Sequence, residues 1–283
     1  MIVQSTKYLV QRKNSEGQAL VLVLLALAVV LTIVLYILSR SITDIAVSSN
    51  ESEAASAFSA AEAGVEQALV IGAGGSSTVG SASYSSQVTN VAQGAAGFVY
   101  PLGINSGDSM TLWLKSQGPG SSDFNGSSLK ICWGKPGEYA NQNLAPAIET
   151  VLFYETISGN PATVKISRAA YDPNASRRAS NSFDAPGETC TVDGQTFQFQ
   201  ATLNIAGIPN PQFMFVRMFY NADTAQPLAF ASPDGDLFPS QGILVDSSGT
   251  AGQSSRKVQV FQGWPEIPSP FRFAVYSSTG LTK

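Results

Sequence analysis

The sequence predicts an α+β protein: a long N-terminal helix, apolar and then amphipathic, followed by a mainly antiparallel β-sandwich or roll head domain. Three observations predict it. Gln18 to Ser39 reads QALVLVLLALAVVLTIVLYILS without one charge. Residues 39–70 continue without a proline, and Ala, Glu and Gln, all good helix formers, dominate their second half. From about Ala95 onward, short alternating or apolar runs are separated by turn clusters, as in antiparallel sheets.

The first element is the apolar run. A bilayer core about 30 Å thick needs about 20 apolar residues as a helix, so residues 18–39 are long enough to span it. Lys7, Arg12 and Lys13 precede the run, and acids (Asp44, Glu51, Glu53) dominate after Arg40. The positive-inside rule then places residues 1–17 in the cytoplasm and residues 41–283 outside. A cleaved secretory signal is the competing reading. It fits less well, because the run exceeds an ordinary h-region and no small-x-small cleavage site ends it.

The second element continues the first. Phe58, Ala61, Val65 and Leu69 recur at helical spacing on one face, with Glu62 and Glu66 on another. Ser48, Ser49 and Asn50 are the points where such a helix could bend. Unbroken over 18–71, it would be about 80 Å long, with roughly 30 Å in lipid and the rest an amphipathic stalk whose apolar face needs a partner. Gly72 is a natural stop, and the Gly/Ser-rich residues 72–94 read as a flexible connection. The Gly72-Ala73-Gly74-Gly75 cluster is not a phosphate loop: it follows a helix, opens no second one and lacks the Lys-Ser/Thr of a Walker motif.

Residues 95–283 read as the β-rich head. Phe197, Phe199, Ala201, Leu203 and Ile205 alternate with polar residues, a strand with one buried face. Residues 213–220, FMFVRMFY, are apolar on both faces and read as a central strand. Further candidates are 110–115, 129–133, 148–157, 162–169, 242–246, 256–261 and 271–276. This suits one enlarged sandwich, or a sheet packed on the helix plus a second sheet. Cys132 and Cys190 are spaced like an immunoglobulin pair, but the Trp and Tyr that accompany that pair are missing.

Candidate chemistry is thin. The chain has no histidine, which removes the commonest general base and metal ligand and every Ser-His or Cys-His arrangement. A Ser-Lys or carboxylate hydrolase is the enzymatic route left, and no catalytic residue or cofactor is expected. Net charge is −4, and with +3 in residues 1–40 the remainder carries −7; an acidic body offers nucleic acid no electrostatic footprint. Outside the cytoplasm Cys132 and Cys190 read most simply as one disulfide, with two buried thiols as the alternative. Asp234 and Asp236, in SPDGDLF, could offer calcium oxygens but lack the spaced ligands of an EF-hand, and Asp-Gly is a common turn. Asp172-Pro173-Asn174 has the same turn reading. Glu149 and Glu155 share a strand face but stand about 20 Å apart, too far for paired-carboxylate chemistry. Trp113, Trp133 and Trp264 could stack on sugars or pack in a core.

The leader Lys13-Asn14-Ser15-Glu16-Gly17, the uninterrupted apolar run and the segment Ala57-Phe58-Ser59-Ala60-Ala61-Glu62-Ala63-Gly64-Val65-Glu66 together resemble the N-terminal domain of PilX-type type IV minor pilins, over roughly residues 7–70. The resemblance implies prepilin peptidase cleavage after Gly17 and N-methylation of a new N-terminus at Gln18. It further implies an anchor that leaves lipid to pack among other subunits' helices through residues such as Leu22, Leu25, Val29, Phe58, Ala61, Glu62, Val65 and Leu69. The implied partners are other pilin subunits, the peptidase, the assembly machinery and, before assembly, membrane lipid. Two positions depart from most major pilins: Gln18 stands where an aromatic or Met is usual, and Leu22 where a glutamate is usual. The second departure removes a costly charge from the apolar span and points to a minor subunit. The expected function is therefore a structural, non-enzymatic subunit of a pilus or pilus-like filament. The alternative is a single-pass, membrane-anchored extracellular binding module, adhesin or lectin-like.

Overall fold

The structure, a computed structural model, describes residues 16–137, 139, 142–220 and 224–266, and of residues 16–18 the backbone alone. Helix α1 (Glu16–Ile71) is unbroken over 56 residues, about 84 Å at 1.5 Å per residue. It runs straight through Ser48, Ser49 and Asn50. Each weak helix former costs only a fraction of a kcal/mol, and long helical flanks carry the nucleation cost. The helix ends where expected: Gly72 takes a left-handed conformation (φ +73°) and its N–H donates to the Ala68 carbonyl at 2.8 Å.

The next segment corrects the expectation of a flexible connection over 72–94. β1 (Gly75–Val79) and β2 (Ala82–Asn90) form a hairpin, turned by Gly80 and Ser81 with Gly80 at φ +60°, as a tight two-residue loop requires. Its polar composition hid an alternation: Ala82, Tyr84 and Ser86 are buried while Ser83 and Ser85 are exposed. The head thus begins at Gly75, before residue 95. β2 pairs with β13 (Gly242–Ala251), itself in a hairpin with β14 (Ser254–Gly263). The result is an antiparallel sheet of order β1-β2-β13-β14 that carries α1 on one face.

Two more antiparallel sheets make a sandwich. One has the order β10-β5-β12-β3, from β3 (Gly97–Val99), β5 (Ser128–Trp133), β10 (Phe199–Asn204) and β12 (Leu228–Ala231). The other has the order β4-β11-β6-β7, from β4 (Ser109–Trp113), β6 (Ala147–Glu155), β7 (Val164–Tyr171) and β11 (Pro211–Phe219). Leu129, Ile131, Trp133 and Phe230 from the first share one buried cluster with Met110, Leu112, Ile148, Leu152, Met214 and Val216 from the second, the interdigitated core of two packed sheets. The second sheet has β11 between β4 and β6, the central position its sequence predicts. Leu244 and Phe261 pack the helix-bearing sheet against this same core.

Smaller elements complete the head. A short helix α2 (Ala175–Asn181), which the sequence reading did not include, follows β7. The expected strand over 197–205 divides at Gln198, whose N–H donates to the Gly134 carbonyl. Its first part is β9 (Gln195–Phe197), which makes a ribbon with β8 (Cys190–Val192). The candidate strand 271–276 lies outside the described residues.

Candidate functional site

Helix α1 divides into two halves with different surroundings. Residues 19–52 are exposed throughout, including Leu22, Leu25 and Val29. This half contains a segment of mean hydropathy 3.2, long and apolar enough to cross a membrane by length and composition. Gly17 and Gln18 lie in the first helical turn. Beyond Ser39 the exposed helix runs on through residues 40–52, about 20 Å, still presenting Ile42, Ile45 and Val47.

From Glu53 the helix lies on the sheet. The Glu53 carboxylate accepts a hydrogen bond from the Gln253 N–H in the β13–β14 turn at 2.9 Å. Ala57, Ala60, Ala61, Val65 and Ala68 are buried, and with Gly64 they form one face at helical spacing. Small residues make close approach available. A Cβ placed on Gly249 of β13 would overlap the Ala57 carbonyl and meet the Ala61 nitrogen at 2.6 Å; one on Gly64 would overlap Ser247 Oγ and the Tyr84 ring. The Tyr84 hydroxyl donates to Gln67 Oε1, tying β2 to the helix.

This geometry redistributes the residues expected to assemble a filament. Ala61 and Val65 are buried against the chain's own sheet, and Leu69 is half-buried there. Phe58, expected on their face, is 45% exposed, and Glu62 is exposed as well. The face is set by where the helix can approach β13, and small side chains win that contest over a bulky ring.

The remaining candidates separate cleanly. Cys132 and Cys190 are disulfide-bonded with Cα atoms 6.3 Å apart, fastening the β8–β9 ribbon to β5 over Val192, Phe197 and Ala229. Asp234 Oδ2 accepts four hydrogen bonds at 2.7–3.0 Å from the N–H and hydroxyl groups of Ser127 and Ser128. The hydroxyls of Ser127 and Ser128 contribute most, and together with the N–H groups of the same residues they outweigh desolvation and hold its carboxyl below the usual range. That oxygen clasps the Asp234 loop to the start of β5. The Asp236 N–H donates to Ser232 Oγ, and among the described residues no three His, Cys, Asp or Glu side chains gather as a metal set. Glu149 pairs with Arg168, and Glu155 accepts from the Gly159 N–H.

Asp172 is fully buried. It takes a paired contact from Arg177 (2.7 and 2.9 Å) and bonds from the Asn174 N–H and Asn181, while Asn174 caps α2. Burial pushes its carboxyl up, but Arg177, the Asn174 N–H and Asn181 together bring it below the ordinary range. The sequence showed a turn here; the arginine that completes the knot could have been found in the Asp-Pro-Asn-x-x-Arg spacing. Trp133 is core, its Nε1 donating to the Pro146 carbonyl. Trp113 and Trp264, by contrast, line one cleft.

Fold and site define a class: a head of antiparallel sheets carried on one N-terminal helix, the exposed half of which has the length and apolarity of a membrane span. No family model matches the chain, and neither a curated protein nor a solved structure matches it.

Proposed function

We propose that the chain is a structural subunit of a type IV pilus or pilus-like filament, of the minor-pilin kind. Its helix holds it in the membrane with the N-terminus in the cytoplasm; after cleavage between Gly17 and Gln18 the helix packs among those of other subunits and the head is displayed outside. The supporting observation is the division of α1. One face of residues 57–68 is used up on the chain's own sheet, whereas residues 19–52 are exposed over about 50 Å. A bilayer core accounts for about 30 Å of that. The remaining 20 Å, with Ile42, Ile45 and Val47 outward, calls for partners other than lipid tails, and other subunits' helices provide them. Intact-mass measurement on protein from native membranes or sheared filaments tests the reading. The expected mass corresponds to a chain beginning at an N-methylated Gln18. A chain that keeps residues 1–17 overturns it.

A further inference from the structure

We propose that a cleft at the end of the head remote from the exposed half of α1 binds a pyranose saccharide. The cleft, about 370 Å³, opens where the end of β14 meets β4, and Tyr100, Trp113, Phe261, Trp264 and Glu266 are among its walls. Its volume falls in the range of small-ligand sites, about 300–1,000 Å³, and it lies at a junction between sheets, where such sites concentrate.

Its walls are held in place before any ligand arrives. The Trp264 Nε1 donates to the Ser240 carbonyl at 2.8 Å. The Gln241 side chain takes both backbone groups of Trp113, at 2.8 and 2.9 Å, and the Trp113 ring packs on Phe213 at 5.4 Å between centroids. Tyr100 meets Phe261 edge to face at 5.5 Å, and Thr111 donates to Glu266. Rigid aromatic walls beside a carboxylate suit a ring with an apolar C–H face and a hydroxyl edge. The Glu266 carboxylate among these walls offers acceptor oxygens to the hydroxyl edge of such a ring.

The position also suits an external ligand. β13 spans about 30 Å; its Ala251 end leads into the turn held by Glu53, while Ile243 and Val245 lie against the last turns of α1. Gly242, at that second end, pairs with Gly263 beside the cleft.

The test uses the full chain in a sugar-free zwitterionic detergent. Glucose, galactose, N-acetylglucosamine and their β-1,4-linked disaccharides are titrated by saturation-transfer NMR and tryptophan fluorescence, with a phenylalanine-rich peptide as counter-probe. At least one neutral sugar is expected to bind with Kd of about 1 mM or tighter. Trp264→Ala and Glu266→Gln are each expected to weaken it about tenfold or more, with the melting transition of Glu266→Gln unchanged; Leu144→Ala, at an exposed residue that does not line the cleft, is expected to bind as the parent does. No sugar binding at about 10 mM, affinity indifferent to both substitutions, or preference for the peptide each overturns the proposal. None of these readings depends on processing at Gly17, so this inference and the filament reading fail separately.

Discussion

The two halves of α1 share one backbone and one continuous hydrogen-bond ladder, yet opposite rules select their side chains. Residues 19–39 are mostly large and aliphatic on every face and are exposed among the described residues; residues 57–68 place alanine, glycine and one valine on a single face against a sheet. In the first half, apolar bulk on every face is what a segment long enough to span a bilayer requires. In the second, bulk is excluded, because the helix gains more by bringing its backbone close to β13 than by adding side-chain area. The contrast shows that hydrophobicity alone misplaces an interface. Phe58 is the largest apolar residue of the second half, and it is outside the seam.

The heaviest blow to the docked half comes through Gly249. Gly249→Val puts carbon into the Ala57 carbonyl and the Ala61 nitrogen, backbone atoms that cannot rotate away. Overpacking usually costs about 1–3 kcal/mol, and backbone overlap exceeds that range, so a loss above about 3 kcal/mol is expected. It is measured as lost hydrogen-exchange protection over residues 57–68 and a lowered melting transition of the head. Unchanged protection there would mean that the two halves are not distinct.

Acid separates the seam from the sandwich. The buried seam residues, from Ala57 to Ala68 on the helix and from Ala82 to Ala251 on the sheet, contain no carboxylate, whereas the sandwich rests in part on Asp172. Its folded pKa lies below the ordinary value of about 3.9. The stability it contributes is therefore complete above that value and is lost as pH falls through the folded one. Exchange protection at β7 and α2 is expected to fall below pH ~4 before that of Ala60–Ala68. Asp172→Asn, which leaves Arg177 without its counter-charge, is expected to cost about 3 kcal/mol at neutral pH and to flatten this acid response, as read from denaturant midpoints at a series of pH values.

Glu53 marks the border between the halves. Its bond to the Gln253 N–H lies in an exposed place, where a charge-assisted hydrogen bond is worth about 1 kcal/mol. Glu53→Ala is expected to fray the seam at its start, raising exchange at residues 53–57 while leaving Val65 and Ala68 protected.

How far the sequence revealed this depended on whether pattern or approach distance was decisive. The apolar run, the helix stop at Gly72 and the central strand β11 were legible because each writes a period or a breaker into the residues themselves. The β1–β2 hairpin was not: serines fill its exposed positions and Ala82 and Ser86 its buried ones, so the alternation carries almost no hydrophobic contrast. Nor was the seam, because Gly249 is 185 residues or more from the alanines it accommodates, and only contact shows that it must be glycine. The tryptophans were legible as candidates, but sorting Trp133 into the core and Trp113 and Trp264 into a shared cleft needed the topology that joins β4 to β14.

The smallest expected effect on stability belongs to Phe58, and it is the sharpest test of the contrast. Since the ring is 45% exposed and lies off the seam, Phe58→Ser should move the melting transition of the head by no more than about 0.5 kcal/mol equivalent, as surface substitutions do. Leu25→Ser in the exposed half should do the same, because Leu25 is exposed among the described residues. Filament recovery after shearing is the readout that should respond: if residues 19–52 and the outward face at Phe58 meet other subunits' helices, both variants fold and reach the membrane yet yield fewer sheared subunits. A Phe58→Ser protein that melts early would return Phe58 to the seam. One that is both stable and recovered in full would confine the assembly surface to residues before Glu53.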